Sequence, residues 1–247
     1  MSQPSSKTTS SEIIFYDLAS KGHCASWSHN AWKARLVLNY KEIPYKTIWV
    51  EYPDIAPIFE SLGVSANPTG IAYTIPTIRL PDSTYLQDSR SIASTLETSY
   101  PTPTLPIISP YLSQVEDLIP KLQLSTRPLW MPLLATDLLN DSSRTYFEET
   151  RKKRVGMPLS EYGKKEGGEK CWEDAKPTVR ELGQLLKANN GPFIEGDTPS
   201  YADFFIVATL QMLRRIDADI FARLVEMEEA LRNVYDACKP WLKRDDY

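Results

Sequence analysis

Residues 24–40, CASWSHNAWKARLVLNY, set a thiol (Cys24), two hydroxyls (Ser26 and Ser28), a histidine and two indoles at the head of an amphipathic run. Two kinds of chemistry suit these residue types. A Ser immediately before such a run caps the helix, its oxygen accepting from a free first-turn amide. The same geometry also suits an anion, because free N–H groups and the positive end of the helix dipole stabilise negative charge there. A thiolate held at that point has its pKa lowered. The thiol could be Cys24 itself, or belong to a bound cofactor lying against a Ser hydroxyl.

Three further stretches carry comparable signals. In TIPT (74–77) Pro76 precedes strand-forming residues, where a missing N–H is tolerated. A trans bond would make this a plain strand start. A cis Ile75–Pro76 bond, a minority form even before proline, would let Ile75 offer its N–H and C=O to an extended ligand. In QDSRSIA (87–93) Ser89 reads as a helix cap with Asp88 just ahead of it. The pair forms either a capped surface helix or a pocket for an amino-acid head group. In that pocket Ser89 and the helix terminus would take the carboxylate, and Asp88 the ammonium. In DTPSYADFFIV (197–207) Ser200 and Asp203 have the spacing of a capping box, whose expected task is to start a buried helix.

The elements that must position these residues follow from periodicity. EIIFYD (12–17) and YKTIWV (45–50) read as strands. Between them Trp32, Leu36 and Tyr40 share one helical face, with Lys33, Arg35, Asn39 and Lys41 mostly off it. DIAPIFESLG (54–63) reads as a short helix closed by Gly63, with Pro57 confined to its first turn. TIRLP (77–81) and TYLQD (84–88) read as a hairpin, and a helix begins at Ser89. The order is β-α-β-α-β-β-α. PTPTLP (101–106) reads as a stiff linker, after which strand signals fade. Helices are expected from SPYLSQVEDLIPKLQL, interrupted at Pro120, and over 171–190, 200–216 and 218–238. The charged segment 151–170 reads as a solvated helix end and loop. RPLWMPLL (127–134) reads as an irregular apolar wall, or as ordinary interhelical packing.

Composition narrows the classes. The chain has 247 residues, 42% apolar and 24% charged, enough for one large domain or two small ones. A net charge of −4 argues against nucleic acid as the main partner. No apolar run reaches the length of a membrane span. The polar start MSQPSSKTTSSE lacks a signal-peptide core, so a cytoplasmic protein with a short disordered lead over 1–11 is expected. The spacing of Cys24, Cys171 and Cys238 fits neither a disulfide framework nor a zinc site. His23 and His29 are the two histidines, too few for a His-rich metal centre.

Taken in order, the helix-start Ser, the Ile-Pro strand, the hairpin, the Asp-Ser pair, the Pro-rich linker, the helical half and the late capping box resemble the glutathione S-transferases. The resemblance runs over nearly all of the chain after residue 12. The first domain, WSHNAWKARLVLNYKEIPYKTIWVEYPDI, is similar to that of the fungal etherase-like, serine-type transferases. It implies an α/β thioredoxin-like domain over 12–100, a linker over 101–107 and an all-helical domain over 108–247. Counting seven residues back from Arg35 of KARLVL places Ser28 at the family's catalytic position. The resemblance then makes Ser28 the donor to a bound glutathione sulfur, with Asn30 as a second donor. Ser26 is the fallback and Cys24 a lesser candidate. It further assigns Ile75 and a cis Pro76 to the cysteinyl part of glutathione, Asp88 and Ser89 to the γ-glutamyl part, and Asp203 to folding. Lys41 and Lys46 are guesses for the glycyl carboxylate. Trp27, Tyr111, Trp130 and Tyr146 are candidates for a second-substrate pocket.

The implied activity is conjugation of glutathione to a hydrophobic electrophile in fungal secondary metabolism. Glutathione-dependent cis–trans isomerisation of a conjugated alkene and ether cleavage need the same thiolate. A non-enzymatic carrier of hydrophobic ligands is the remaining reading. The resemblance also implies a homodimer.

Overall fold

The computed structural model describes residues 12–246. The expected disordered lead lies outside them. Strand β1 (Ile13–Leu18) is buried along its whole length and forms the spine of a four-stranded sheet in the order β2-β1-β3-β4. Its parallel partner is β2 (Tyr45–Val50), with Ile13 opposite Tyr45. The crossover between them is helix α1 (His29–Tyr40). After a single 3-10 turn (Tyr52–Asp54) and α2 (Ile55–Ser61), the chain adds the antiparallel pair β3 (Thr77–Arg79) and β4 (Tyr85–Gln87). Helix α3 (Ser89–Ser99) closes this half. The β-α-β-α-β-β-α order is therefore observed.

Helix α1 departs from the amphipathic expectation. Every residue from Ala31 to Leu38 is buried, Lys33 and Arg35 included. The physical reason is that α1 is covered on both sides. It packs on the sheet and α3, and the helical half adds α8 (Tyr201–Ile216) and α10 (Glu229–Leu242). A charge in that position needs a partner. Arg35 pairs with Asp17 at 2.8 Å, both side chains fully buried. Lys41 donates to the carbonyls of Tyr100 and Pro103, each at 2.7 Å, and pairs with Glu97 at 2.6 Å. It thereby holds the Pro-rich connection against α1. The Thr102–Pro103 bond in that connection is cis.

The second half is helical: α4 (Leu112–Leu133), α5 (Asp141–Val155), α6 (Leu159–Glu166), α7 (Glu169–Leu186), α8, α9 (Ala218–Met227) and α10. Three expectations are corrected here. Helix α4 is not interrupted at Pro120. It runs through Pro120, Pro128 and Pro132 before a π-type turn at Leu134–Leu138. Packing against α6, α7 and α8 outweighs the lost amide bonds, and RPLWMPLL is mostly regular helix. The segment 151–170 is not a simple loop. It forms α6, whose Gly163 lies so close to α4 that an added Cβ would stand 2.9 Å from Pro132 Cγ. The helix expected over 218–238 is two helices. Glu228 breaks it, accepting from the Ala230 N–H at 3.1 Å and pairing with Lys187 at 2.8 Å.

The capping box is present. Asp203 Oδ2 accepts from the N–H and hydroxyl of Ser200 (2.8 and 2.7 Å), and Oδ1 from the Ile194 N–H at 2.7 Å. It roots α8, the buried helix on which α1 rests.

Removing one member of the Asp17–Arg35 pair strands a fully buried charge, which costs about 3–5 kcal/mol. Arg35→Leu is expected to lose stability on that scale in urea unfolding. The Asp17→Asn/Arg35→Leu double variant is expected to recover part of the loss. A double variant as weak as the sum of its parts would show that the pair acts through packing alone.

Candidate functional site

The loop from β1 to α1 is built around Asp17. Its Oδ2 accepts from the Ser26 hydroxyl at 2.7 Å and from Arg35 at 2.8 Å, and its Oδ1 from the Leu18 N–H at 2.7 Å. Ser26 is fully buried, and its carbonyl accepts from Trp32 Nε1 at 3.1 Å. Its hydroxyl is turned into the protein and does not line the cavity described next. Ser28 follows as the residue before α1. It is in an extended conformation (φ −69°, ψ 127°), and its carbonyl accepts the first helical bond from the Trp32 N–H at 2.9 Å. Its hydroxyl makes no capping bond, and the first turn of α1 carries no acidic side chain. The positive end of this helix is left without a carboxylate of its own.

Ser28 and Asn30 line a cavity of about 420 Å³. The sheet half contributes Leu18, Tyr52, Ile55, Ile71, Tyr73 and Ile75 among others, and the helical half contributes Tyr146 and Arg151. Ile75 precedes Pro76 through a cis bond. The loop before it is tied to the end of β4, since the Thr74 N–H donates to Gln87 Oε1 at 2.7 Å. The next residue is Asp88, and here the helix cap differs from expectation. Asp88, not Ser89, caps α3, because its Oδ1 accepts from the N–H groups of Arg90 (3.1 Å) and Ser91 (2.9 Å). Among the described residues no hydrogen bond reaches Asp88 Oδ2. The Asp88 backbone is left-handed (φ 72°), a conformation uncommon outside glycine that tends to gather at functional sites. Ser89 is the first, buried residue of α3. Asp88 and Ser89 sit at the same edge as Ile75, outside the cavity lining.

Of the four pocket aromatics, Tyr146 lines the cavity, stacked on Tyr52 with centroids 5.9 Å apart. The other three do not line it, because each is engaged in packing elsewhere. Trp27 is buried below, donating to the Ala19 carbonyl at 3.3 Å and tilted against Tyr52. Tyr111 accepts from Asn189 at 3.1 Å. Trp130 packs against the core from α4. Cys24 is also absent from the lining. Burial raises its thiol pKa, and its sulfur accepts from the Ser20 N–H at 3.3 Å. Lys41 is occupied by the interdomain connection, and Lys46 is exposed on β2.

Tyr52 and Arg151 are the residues that sequence reasoning missed. Tyr52 carries no local motif. Its phenol is pushed up to about 12, with burial the main cause, so it stays protonated. Arg151 was hidden in the RKKR run. The signal was Phe147 four residues earlier, which puts Arg151 on the inner face of α5 while Lys152, Lys153 and Arg154 are exposed. The two halves meet beside this wall through Glu51. Its carboxylate accepts from Asn140 Nδ2 at 2.7 Å and from the Ser143 hydroxyl, whose oxygen also accepts from the Tyr52 N–H at 2.8 Å.

Residues 27–99 match the glutathione S-transferase N-terminal domain and residues 116–241 the glutathione S-transferase C-terminal domain. The chain belongs to the glutathione S-transferase family. It is 34% identical over 258 residues to the glutathione S-transferase-like protein ustS of Aspergillus flavus, covering 96% of this chain and 93% of that one. Among solved structures it resembles a glutathione transferase of Phanerochaete chrysosporium (TM-score 0.82, 27% identity, 96% of this chain and 100% of that one). It also resembles a glutathione S-transferase of Ceriporiopsis subvermispora in complex with glutathione (TM-score 0.70, 30% identity, 89% of this chain and 97% of that one).

Lys33 lies one turn along α1 from the cavity. Its ammonium sits 4.1 Å from the Phe205 ring centroid, with Asp88 and Glu116 as the carboxylates that favour its charge. Burial nevertheless lowers its pKa from 10.5 to about 8. Between these values the unfolded chain holds a proton that the folded one has released, so this group makes stability rise with pH across that window. Lys33→Met is expected to be more stable than wild type at pH 7, with the gap narrowing by pH 9.5 in urea unfolding. A gap that stays constant would sink the assignment.

Proposed function

We propose that the chain is a glutathione-dependent transferase that holds the thiol of glutathione as thiolate at the head of α1 and directs it to a hydrophobic electrophile in the cavity. The observation that carries this reading is Ser28. It stands at the cap position and lines the cavity, yet its hydroxyl is not used to cap the helix. That hydroxyl donates to the sulfur, the amides of the first turn add their field, and Asn30 supplies a second donor. Ile75 pairs its backbone with the cysteinyl unit. Asp88 offers its unused Oδ2 to the γ-glutamyl ammonium, while Ser89 and the start of α3 take the α-carboxylate. The glutathione complex of the Ceriporiopsis relative supports the choice of thiol.

The thiolate forms a C–S bond to the electrophile, and the leaving group departs with the electron pair. On a conjugated double bond the same attack, followed by rotation and loss of glutathione, gives isomerisation. Attack on an activated ether carbon gives ether cleavage. Conjugation is the reading that asks least of the cavity. Secondary metabolism as its setting, a cytoplasmic location and a homodimer are parts of the same proposal.

Calorimetric titration with glutathione, with thiolate absorbance followed across pH, tests it. Wild type is expected to bind. Ser28→Ala is expected to keep its affinity, lose the thiolate signal, and fall about 100-fold in kcat/KM. Asp88→Asn, which keeps the capping oxygen but not the charge, is expected to bind glutathione about tenfold more weakly. A wild type that shows no binding at millimolar glutathione would leave Ser28 without a catalytic role and favour the carrier reading.

A further inference from the structure

Arg151 is half-buried on α5 and lines the cavity. Its guanidinium lies 4.5 Å from the Phe147 ring centroid and 5.6 Å from that of Tyr52. These rings fix its direction without neutralising its charge. Its hydrogen-bond partner is neutral, the Thr150 hydroxyl at 2.9 Å. Among the described residues no carboxylate forms an ion pair with it, and the cavity lining contains no Asp or Glu. Four other arginines form ion pairs: Arg35 with Asp17, Arg90 with Glu116, Arg144 with Glu148 and Arg223 with Glu169. Burial lowers the pKa of Arg151, so its charged form is short of solvation. An oxyanion would supply what is missing, because a guanidinium offers paired N–H groups that match a carboxylate.

We propose that Arg151 is a specificity-determining residue and that the second substrate carries a carboxylate, which this guanidinium binds while the electrophilic carbon faces Ser28. The inference rests on the transferase reading of the cavity. A carboxylate could also come from the glycyl end of glutathione. The placement favours the second substrate, because Arg151 and Tyr146 come from the helical half of the lining, whereas Ile75, proposed for the peptide, comes from the sheet half.

The probes are 4-chloro-3-nitrobenzoate and the neutral 4-chloro-3-nitrobenzamide, which differ in charge but hardly in shape. Binding of each, without glutathione, is measured by calorimetry for wild type, Arg151→Gln and Arg151→Lys, with thermal melts to confirm folding. Glutathione affinity is measured in parallel. Wild type is expected to bind the benzoate about tenfold or more tightly than the benzamide. Arg151→Gln is expected to abolish that preference while its benzamide and glutathione affinities stay within about threefold. Arg151→Lys is expected to restore part of it. Equal binding of the two probes by wild type, or a preference that survives in Arg151→Gln, overturns the proposal. Loss of glutathione affinity in Arg151→Gln with no probe preference overturns it too, and assigns the guanidinium to the glycyl carboxylate. A benzoate preference that depends on Arg151, in a protein without glutathione-dependent turnover, supports carboxylate binding by this guanidinium and overturns its role toward a second substrate along with the transferase reading.

Discussion

The ion pair between Asp17 and Arg35 joins the strand, the helix and the loop that make the site. Both side chains are fully buried, and the carboxylate also receives the Ser26 hydroxyl and the Leu18 N–H. From the other side Arg35 donates to the Tyr45 hydroxyl at 3.1 Å and to Thr47 at 3.2 Å, reaching across to β2. Its face lies against Phe15, Tyr45 and Trp49. A buried charge of this kind is costly to desolvate and tolerates few alternative geometries. Ser26 is thus pinned two residues before Ser28, and the path of the loop into α1 follows. The network continues to the end of the chain, where the Tyr45 hydroxyl donates to Asn39 and Asn39 donates to the carbonyls of Trp241 and Arg244. The Asp245 carbonyl accepts from the Ser26 N–H.

The cavity is a product of both halves held at a set distance. Lys21 binds the Thr136 and Leu138 carbonyls after α4, and Glu51 is clasped by Asn140 and Ser143. Tyr52 then lies between Trp27 below and Tyr146 and Phe147 on the helical wall. Within a chain of net charge −4, two features of positive sign face this space: the head of α1 and the guanidinium of Arg151. Apolar side chains around them lower the local dielectric, so each acts on a bound anion more strongly than it would in water. In the proposed reading one steadies the sulfur of glutathione and the other orients its target.

Local periodicity and turn chemistry made the first half legible. The strand character of YKTIWV and the hairpin depend on neighbours a few residues apart, and they recur in the structure as β2 and the β3–β4 pair, as the Ser200–Asp203 spacing recurs as the capping box of the second half. The helical half was less legible because distant packing overrode local preference. Proline should have broken α4, but α6, α7 and α8 hold it through three prolines. Glu228 looked like one more helical residue until its pairing with Lys187 made it a break.

By itself the sequence determined that helices start at Ser28 and within the Asp88–Ser89 pair, because the capacity to cap resides in a single side chain and its next few amides, although it put the cap on Ser89 where the structure has Asp88. It did not decide which of those oxygens would be consumed. Asp88 gives one oxygen to its helix and keeps the other, Ser26 gives its hydroxyl to Asp17, and Ser28 gives none to its cap. Nor could it show Arg35 as buried, or that Arg151, marked only by Phe147 one turn earlier, would face Tyr52 without a carboxylate partner, since each depends on groups contributed by distant parts of the chain. Those choices belong to the tertiary structure, because burial and the presence or lack of a counter-ion are properties of what a side chain faces across space.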